Sequence, residues 1–475
     1  MSRAVPPRPR GARLHTPFLH RSRVASGGRA SSPLAAPATA RAALLPVVAV
    51  VALLALPLAP GDDGGAGPAD AASAVMVLYC AVRLLRDRRR PLTPVAGVVL
   101  GLPVAGLALA AVQASSWSAG LSGLGRYLQV FVLVPAAVLV LIRDRGDFRM
   151  LAWSLVGLAL WQGAVGVHQY ATGTGASYRG EDVRAVGTFG AHDVMGMATV
   201  VSLGLVCAVG LALGRTTAVR ERVAAAVCVP ALLLPLALSF SRGAWIATAV
   251  TCTAQLLLAG VRRALKVASA VIAAGVVLMG GFGAGTAMLQ ERMESITQVT
   301  DAPDQSVVDR YSLWAAAAGI WREHPLTGVG LKSFPEYRDG HAPAALSSGS
   351  DTEGAGATFR RQPLLSPHNM YLLVLAEQGL AGLLALLGSW LALLVCAVRR
   401  LPHSRGPGLD CALVACGLLV WQLTDFAYAD IGGPSTVLTA VCLGLAAWWA
   451  LALAPRDSRA PSDPVRAHAE GALAR

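Results

Sequence analysis

Charged residues are scarce in this sequence: 14% of the chain is Asp, Glu, Lys or Arg, and 55% is hydrophobic. A soluble domain carries about 25% charged residues and is roughly 45–50% apolar. The composition therefore argues against a soluble protein and indicates that lipid is the solvent. The formal net charge of +13 comes mostly from arginine. Because the basic residues form short clusters between apolar runs, we interpret them as membrane-protein loops and expect no nucleic acid as a partner.

Acidic residues are absent from the start of the chain, where none precedes Asp62. Residues 1–40 are rich in Arg, Pro, Ser and Ala, and the first apolar run begins only near Ala42. In a cleaved signal peptide, by contrast, a short basic start leads directly into the apolar core. We therefore predict a disordered basic cytoplasmic tail at 1–40 and a second cytoplasmic tail at 456–475.

Paired cysteines and metal-binding motifs are also missing. None of the eight cysteines belongs to a Cys-x-x-Cys pair, and all lie in apolar segments. Such cysteines pack as small hydrophobic residues, so we expect no disulfide bond. The carboxylates of Asp301 and Asp304 have no histidine nearby in the sequence, so we expect neither a metal site nor another cofactor.

Long apolar runs dominate the rest of the chain. A membrane-spanning helix needs about 20 predominantly apolar residues, and about twelve runs meet this test. They are 42–60, 71–85, 93–113, 126–142, 149–168, 190–213, 223–240, 244–261, 267–289, 369–397, 409–427 and 433–454. The sequence thus predicts an all-α, polytopic membrane protein, with nine spans in residues 41–289 and three in residues 368–455.

Basic clusters follow alternate spans. The connections at 61–70 and 426–432 contain no basic residue. The basic connections are 86–90, 143–149, 215–222, 262–266 and 399–405. Because positively charged loops stay in the cytoplasm, we predict that both termini are cytoplasmic and that the long connection 290–367 lies outside.

This long outer connection resembles soluble sequence for much of its length. Its stretch 310–321 is a predicted helix that lies on the membrane or against the helix bundle, because four apolar residues share one face. They are Leu313, Ala317, Ile320 and Trp321. The stretch 339–358, rich in Ser, Gly and Ala, is predicted to be flexible.

Polar residues that membrane burial does not explain collect on the predicted outer side. Each has an ordinary interpretation: Arg242 could anchor a turn at lipid headgroups, Arg310 could pair with Asp309, and His368 could cap a helix. Together they suggest an anion site, because Arg binds phosphate oxygens in a bidentate fork and His is the usual base near neutral pH. The set is Arg184, Asp193, Ser241, Arg242, Asp309, Arg310, Lys332, His368, Asn369 and Glu377.

Three motifs include five of these residues, Ser241, Arg242, Lys332, His368 and Asn369. They are Ser-x-Ser-Arg-Gly-Ala-Trp at 239–245, Pro-Leu-Thr-Gly-Val-Gly-Leu-x-x-Phe at 325–334 and His-Asn-x-Tyr-Leu at 368–372. With them the sequence resembles the O-antigen ligase and O-antigen polymerase family of bacterial membrane proteins. Arg-x-x-Gly-Thr-Phe at 184–189 also looks familial, although the family commonly has Asn where Asp193 stands.

The resemblance implies a GT-C-like, metal-independent, inverting glycosyltransferase of the cell envelope. The donor would be a glycan on undecaprenyl diphosphate at the outer side of the cytoplasmic (inner) membrane. By this analogy His368 is the catalytic base that activates an acceptor hydroxyl. Arg242 and Arg310 bind the diphosphate, with Arg184 and Lys332 as further candidates. The supporting residues would be Ser241, Asn369, Asp193, Asp309 and Glu377.

The acceptor stays open at this point. A ligase would transfer to a lipid or other surface anchor, a polymerase to a growing glycan, and a third family activity to a protein side chain. A secondary transporter would also suit twelve spans, but transporters place polar residues near the bilayer midplane in two matching halves. The spans predicted here contain few charged residues and show no such repeat. A non-catalytic membrane scaffold is the remaining alternative.

Overall fold

The computed structural model of the chain describes residues 42–57, 67–87, 92–177, 184–214, 218–267, 269, 305–354, 357–362, 364–401, 408–433 and 435–452. Both predicted tails and most of the ninth predicted span, 267–289, lie outside these residues. The domain boundaries taken from the sequence therefore stay predictions.

Helices make up most of the described chain. They are α1 (Leu45–Leu53), α2 (Pro68–Asp87), α3 (Pro94–Val112), α4 (Trp117–Leu128), α5 (Val134–Leu141), α6 (Arg145–Thr172), α7 (Gly196–Ala212), α8 (Val219–Leu238), α9 (Arg242–Ala259), α10 (Gln305–Glu323), α11 (Phe334–His341), α12 (Met370–Arg399), α13 (Leu409–Asp425) and α14 (Thr436–Leu451). A π-helical turn, Gln129–Leu133, joins α4 to α5, and a 3₁₀-helix, Gly187–Asp193, precedes α7.

Six segments of the described chain are long and apolar enough to cross a membrane. They are Pro68–Arg86, Pro94–Val112, Trp117–Leu141, Arg145–Thr172, Val219–Leu238 and Met370–Arg399. Helices α7 and α14 are apolar but shorter, and α1 has nine residues. The chain is therefore a helical, multi-pass protein by composition, while the number twelve stays a prediction.

Polar side chains at the helix starts explain where several helices begin. Thr93 accepts a hydrogen bond from the Ala96 amide at 3.1 Å, at the start of α3. Ser116 accepts one from the Ala119 amide at 3.2 Å, at the start of α4. Such caps satisfy amide groups that the first helical turn leaves unpaired.

Part of the long outer connection forms short strands. Strands β1 (Ala176–Ser177), β2 (Ser350–Gly354) and β3 (Ala357–Gln362) form an antiparallel sheet in the order β1-β2-β3. Ala176 pairs with Gly354, which joins this connection to the segment before α7. The stretch predicted to be flexible, 339–358, thus contains the end of α11 and the strand β2.

Helix α10 packs as its sequence pattern predicts. Leu313, Ala317 and Ile320 are fully buried, and Trp321 is half-buried. These residues form a second apolar core together with Phe334 and with Ala376 of α12. The helix therefore lies against the bundle, one of the two positions expected from the sequence.

Helix α12 is broken at Gly379, whose φ of 64° and ψ of −166° are accessible almost only to glycine. The segment 325–330 lies beside this break and pairs with its backbone groups. Four hydrogen bonds form: Val329 N to Ala376 O at 3.0 Å, Gly330 N to Glu377 O at 2.9 Å, Leu380 N to Pro325 O at 2.9 Å, and Ala381 N to Leu326 O at 3.1 Å. The Pro-Leu-Thr-Gly-Val-Gly motif thus fills the break in a long apolar helix.

Two glycines of this motif are required by close backbone approach. A Cβ atom on Gly328 would lie 2.4 Å from the Glu377 carbonyl carbon, and one on Gly330 would lie 2.4 Å from the Gln113 carbonyl oxygen. Both glycines also have positive φ, 67° and 99°. The close backbone packing of this segment accounts for both glycines.

Candidate functional site

Three of the predicted phosphate-binding residues come together. Burial lowers the pKa of the Arg310 guanidinium, and the positive charges of Arg184 and Arg242 lower it further. They belong to three separate parts of the chain: the segment before α7, the first residue of α9, and α10. The carboxylates of Asp430 and Asp425 raise the same pKa, so the three arginines share this region with two acidic groups.

The turn before α9 places Arg242 at a helix start. Ser241 caps the helix by accepting from the Ala244 amide at 3.3 Å, and Phe240 has a positive φ of 49°. Arg242 itself is exposed. A helix N-terminus already carries partial positive charge, so an arginine there favours an anionic ligand.

The rest of this motif is explained by packing. A Cβ atom on Gly243 would lie 3.2 Å from the Cβ of Tyr428, so only a small residue lets the two segments approach this closely. Trp245 donates its indole N–H to the Leu236 carbonyl at 2.7 Å, which joins the two helices across the turn. The motif thereby holds Arg242 beside the connection between α13 and α14.

Arg184 is held by its backbone. It exchanges two hydrogen bonds with Ala176, at 2.7 and 3.0 Å, and the next amide, of Ala185, donates to the Leu238 carbonyl at 3.1 Å. Since Leu238 ends α8, this bond fixes Arg184 next to the turn that carries Arg242.

His368 lies just before α12 and has a positive φ of 48°. Its side chain is 47% exposed, and its Nδ1 atom lies 4.0 Å from the Oδ2 atom of Asp430. Burial lowers the pKa of the imidazole; Asp430 raises it and Arg310 lowers it again. The ring is therefore largely neutral at neutral pH and able to accept a proton.

Asp430 is the site residue that the sequence prediction missed. Its carboxylate accepts a hydrogen bond from the Ser366 hydroxyl and another from the Gly432 amide at 3.1 Å. In the sequence it stood only in an outer connection without basic residues, 426–432. The available signal was a single acid between two apolar spans, which is costly near a membrane unless it has a partner.

The connection that carries Asp430 is fastened to the start of α12. Asn369 caps this helix by accepting from the Leu372 amide at 3.0 Å, and its amide group donates to the Ala427 carbonyl at 3.0 Å. The Met370 amide donates to the Phe426 carbonyl at 2.9 Å. The His-Asn pair thus fixes the histidine and the segment of its carboxylate partner together.

Asp309 and Glu377 both accept hydrogen bonds from residues of the long outer connection, 290–367. Asp309 accepts from the Ser347 amide at 2.8 Å and from the Ser347 hydroxyl at 2.6 Å. Glu377 is buried beside the break in α12 and accepts from the Phe334 amide at 3.3 Å. These contacts tie chain segments together, whereas the carboxylate paired with His368 is that of Asp430.

Lys332 lies with Glu377. Its backbone amide hydrogen-bonds the Glu377 carboxylate, and its exposed side chain has a charge interaction with the same group. Its φ of 58° places it in the turn that follows the 325–330 segment. The structure therefore assigns Lys332 to this turn, while Arg184, Arg242 and Arg310 form one group.

Asp193 contacts the far end of the connection that carries Asp430. It accepts from the Ser435 amide at 3.2 Å, and a Cβ atom on Gly433 would lie 2.6 Å from its carboxylate. Gly433 has a positive φ of 77°. Asp193 thus holds the segment that leads from Asp430 into α14.

The side chains that could hold a metal ion or form a disulfide are not clustered in the described residues. Over the part of the chain that the structure describes, no group of three or more His, Cys, Asp or Glu side chains is arranged to hold a metal ion. The eight cysteines are free thiols. The charge available to an anion here comes from arginine.

Comparison with protein families gives a match. Residues 225–387 match the family model described as O-antigen ligase, which confirms the resemblance seen in the motifs. A search among curated proteins finds no match. The matched segment is about a third of the chain and contains Arg242, Arg310 and His368, whereas Arg184 and Asp430 lie outside it. Together, the apolar helices and this match point to a multi-pass membrane protein whose residues 225–387 are similar to O-antigen ligases.

Proposed function

We propose that this protein transfers a glycan from an undecaprenyl-diphosphate donor to an acceptor hydroxyl at the outer side of the cytoplasmic membrane. One observation carries the proposal: a half-exposed histidine lies 4.0 Å from a carboxylate and faces Arg310, which belongs to a group of three arginines. This arrangement combines a base for a hydroxyl with a site for an anionic leaving group.

The chemistry assigns one role to each charged group. His368 accepts the proton of the acceptor hydroxyl, whose oxygen attacks the anomeric carbon. Since Nδ1 faces Asp430, the Nε2 atom takes this proton, and the carboxylate stabilises the imidazolium that forms. The bond from the anomeric carbon to the diphosphate oxygen breaks, with inversion, and the diphosphate leaves with the electron pair.

The arginines act on the leaving group. Negative charge grows on the diphosphate as the bond breaks, and fixed positive groups that already face this position stabilise it without rearrangement. Arg184 is held by backbone hydrogen bonds, and Arg242 and Arg310 belong to two helices, so the backbone of each arginine is fixed by a separate segment. We propose that their charge replaces the metal ion that many phosphate-handling enzymes use.

The proposed sidedness rests on the basic connections. Helix α6 begins at Arg145, in the basic connection 143–149, and ends at Thr172, shortly before Arg184. Its 28 residues span about 42 Å, the full thickness of a bilayer. The arginine group thus lies toward the opposite end of α6 from a connection that the positive-inside rule assigns to the cytoplasm.

The break in α12 is an observation that could favour transport as a competing function, because transporters use broken helices to bind ions. In α12, however, the groups freed by the break are already paired: the carbonyls of Ala376 and Glu377 and the amides of Leu380 and Ala381 bind segment 325–330. This pairing makes the break a structural joint. We therefore propose a transferase, with ligase and polymerase activities differing only in the acceptor.

The test compares site variants with matched controls in membranes of equal protein content. His368→Ala and Arg242→Ala should let the lipid-diphosphate-linked glycan accumulate, as measured by mass spectrometry. His324→Ala and Arg322→Ala, exposed positions at the end of α10, should consume it like wild type. If neither site variant changes the donor pool while the protein is present and folded, the transferase proposal is wrong.

A further inference from the structure

A polar network lies beneath the connection that carries Asp430. Its centre is Arg126, near the end of α4 and just before the π-helical turn Gln129–Leu133. The Nη1 atom of Arg126 forms an ion pair with Asp70 of α2, and its Nη2 atom donates to the Gly433 carbonyl at 3.1 Å. One guanidinium therefore joins the interior of the bundle to the segment three residues after Asp430.

Asp70 is buried, and other side chains fix its orientation. The Gln129 amide group donates to Asp70 at 3.0 Å and to the Ser73 hydroxyl at 2.8 Å, and the Gly67 amide donates to the other carboxylate oxygen at 3.1 Å. A network whose members are all hydrogen-bonded has one preferred geometry. Arg126 is thereby held in a single orientation under Gly433.

The π-helical turn also contacts the beginning of the same connection. Phe131, within the turn, packs against Phe426 with ring centroids 6.4 Å apart and against Trp390 at 5.7 Å. Trp390 stacks on Phe426 at 5.0 Å. The turn and Arg126 therefore hold both ends of the connection, at Phe426 and Gly433, with Asp430 between them. π-Helical turns are frequent at functional sites.

We infer that Arg126 is a positioning residue: through Gly433 it sets the place of Asp430 against His368. This inference rests on the proposed function, in which Asp430 supports the histidine. The alternative is an ordinary buried ion pair that holds α2 against α4 and leaves the Asp430 segment unaffected. The two differ in one measurable property, the pKa of His368, which burial and Arg310 lower and Asp430 raises.

Charge-conserving variants separate these alternatives. Arg126→Lys keeps the positive charge and can keep the pair with Asp70, but a single ammonium lacks the guanidinium fork. The double variant Arg126→Met with Asp70→Asn removes the network without changing net charge. Because both variants conserve net charge, we expect the His368 pKa to fall through displacement of the Asp430 carboxylate from the ring.

The readout is the rate at which diethyl pyrocarbonate modifies His368 in the full-length protein, followed by peptide mass spectrometry across pH. Only the neutral ring reacts, so the pH dependence gives the pKa. Both variants should lower this pKa by about 0.5, in the direction that Asp430→Asn produces in full, because a nearby carboxylate favours the charged imidazole.

The matched control is Arg149→Lys, which alters another buried arginine–aspartate pair. Arg149 donates to Asp410 at 2.5 and 3.2 Å, at the other end of α6 from the site. The variant Arg149→Lys should leave the His368 pKa unchanged. If Arg126→Lys leaves the His368 pKa unchanged, the inference is overturned. The double variant should agree with this result whenever that protein accumulates in the membrane. The modification rate does not require turnover, so a failed transfer assay would contradict the proposed function alone.

Discussion

His368 stands between groups of opposite charge, and its pKa decides when it can act as a base. Burial holds that pKa below the usual value of 6.5, and Asp430 partly restores it. A base must be neutral, so we expect transfer to fall about tenfold per pH unit below this pKa and to level off above it. Because Asp430 raises the His368 pKa, Asp430→Asn should shift the fall in rate at low pH to still lower pH. It should also reduce the constant rate reached at higher pH.

The measurement is the initial rate of donor consumption between about pH 4.5 and 8, the range in which histidine titrates. If the donor, and not His368, caused the pH dependence, the rate would fall over the same pH range in wild type and in Asp430→Asn. A limb that stays in place or moves to higher pH in Asp430→Asn would show that the carboxylate does not act on His368.

Arg310 tests the leaving-group role. Removing one preorganised positive group that faces a developing charge costs roughly 100-fold in rate. Arg310→Ala should show this loss, and Arg310→Lys a smaller one, because an ammonium supplies charge without the bidentate fork. Arg322→Ala, on the same helix, serves as the control. Equal rates for Arg310→Ala and wild type at equal membrane levels would remove Arg310 from the site.

At the scale of elements, the joint between α12 and segment 325–330 makes a prediction about folding. A Cβ atom on Gly379 would lie 2.3 Å from the Leu326 carbonyl carbon, and its φ is 64°. Gly379→Ala should therefore destabilise the protein by roughly 3 kcal/mol or more, from strain and backbone overlap together. The measurement is thermal unfolding in detergent.

Gly388→Ala, on the same helix, is the matched control for this joint. Its added Cβ would meet its nearest neighbour at 3.6 Å, an ordinary contact. We expect that variant to unfold near the wild-type temperature. Similar unfolding temperatures for Gly379→Ala and Gly388→Ala would show that the break at Gly379 does not require glycine for stability.

Elements differ in how far the sequence predicts them. Apolar runs predicted most of the helices, and the face of α10 with Leu313, Ala317 and Ile320 was predicted residue by residue, because helical periodicity is a local signal. The joint was not predicted, because its hydrogen bonds connect segments about 50 positions apart in the chain. Strand β2 was not predicted either, since one of its two partners, β1, is distant in the sequence and its own composition resembles a loop.

The site shows the same division. Motifs indicated Arg242 and His368, whose neighbours in sequence also cap helices and permit close packing. Arg310 was indicated by its charge in the predicted outer connection. Asp430 was not indicated, because it belongs to no motif and meets His368 only when α12 and α13 pack together. Residues that act through a long-range contact need the fold before they can be recognised.

At the scale of the whole molecule, the proposal requires the arginine group and the basic connection 143–149 to lie on opposite sides of the membrane. Asp339, which is 74% exposed, and Arg143, also exposed, are suitable positions for single cysteines. In intact cells a membrane-impermeant thiol reagent should label Asp339→Cys, while Arg143→Cys should react only after permeabilisation.

The parent protein is the control for this labelling, since five of its eight free cysteines are buried and the other three are partly buried. Burial also raises the pKa of buried thiols in general, which slows their reaction. Labelling of both positions from the same side would overturn the orientation taken from the positive-inside rule. Because the donor is proposed to be used on the outer side, that outcome would also remove the arginine group from the face where the proposed reaction occurs.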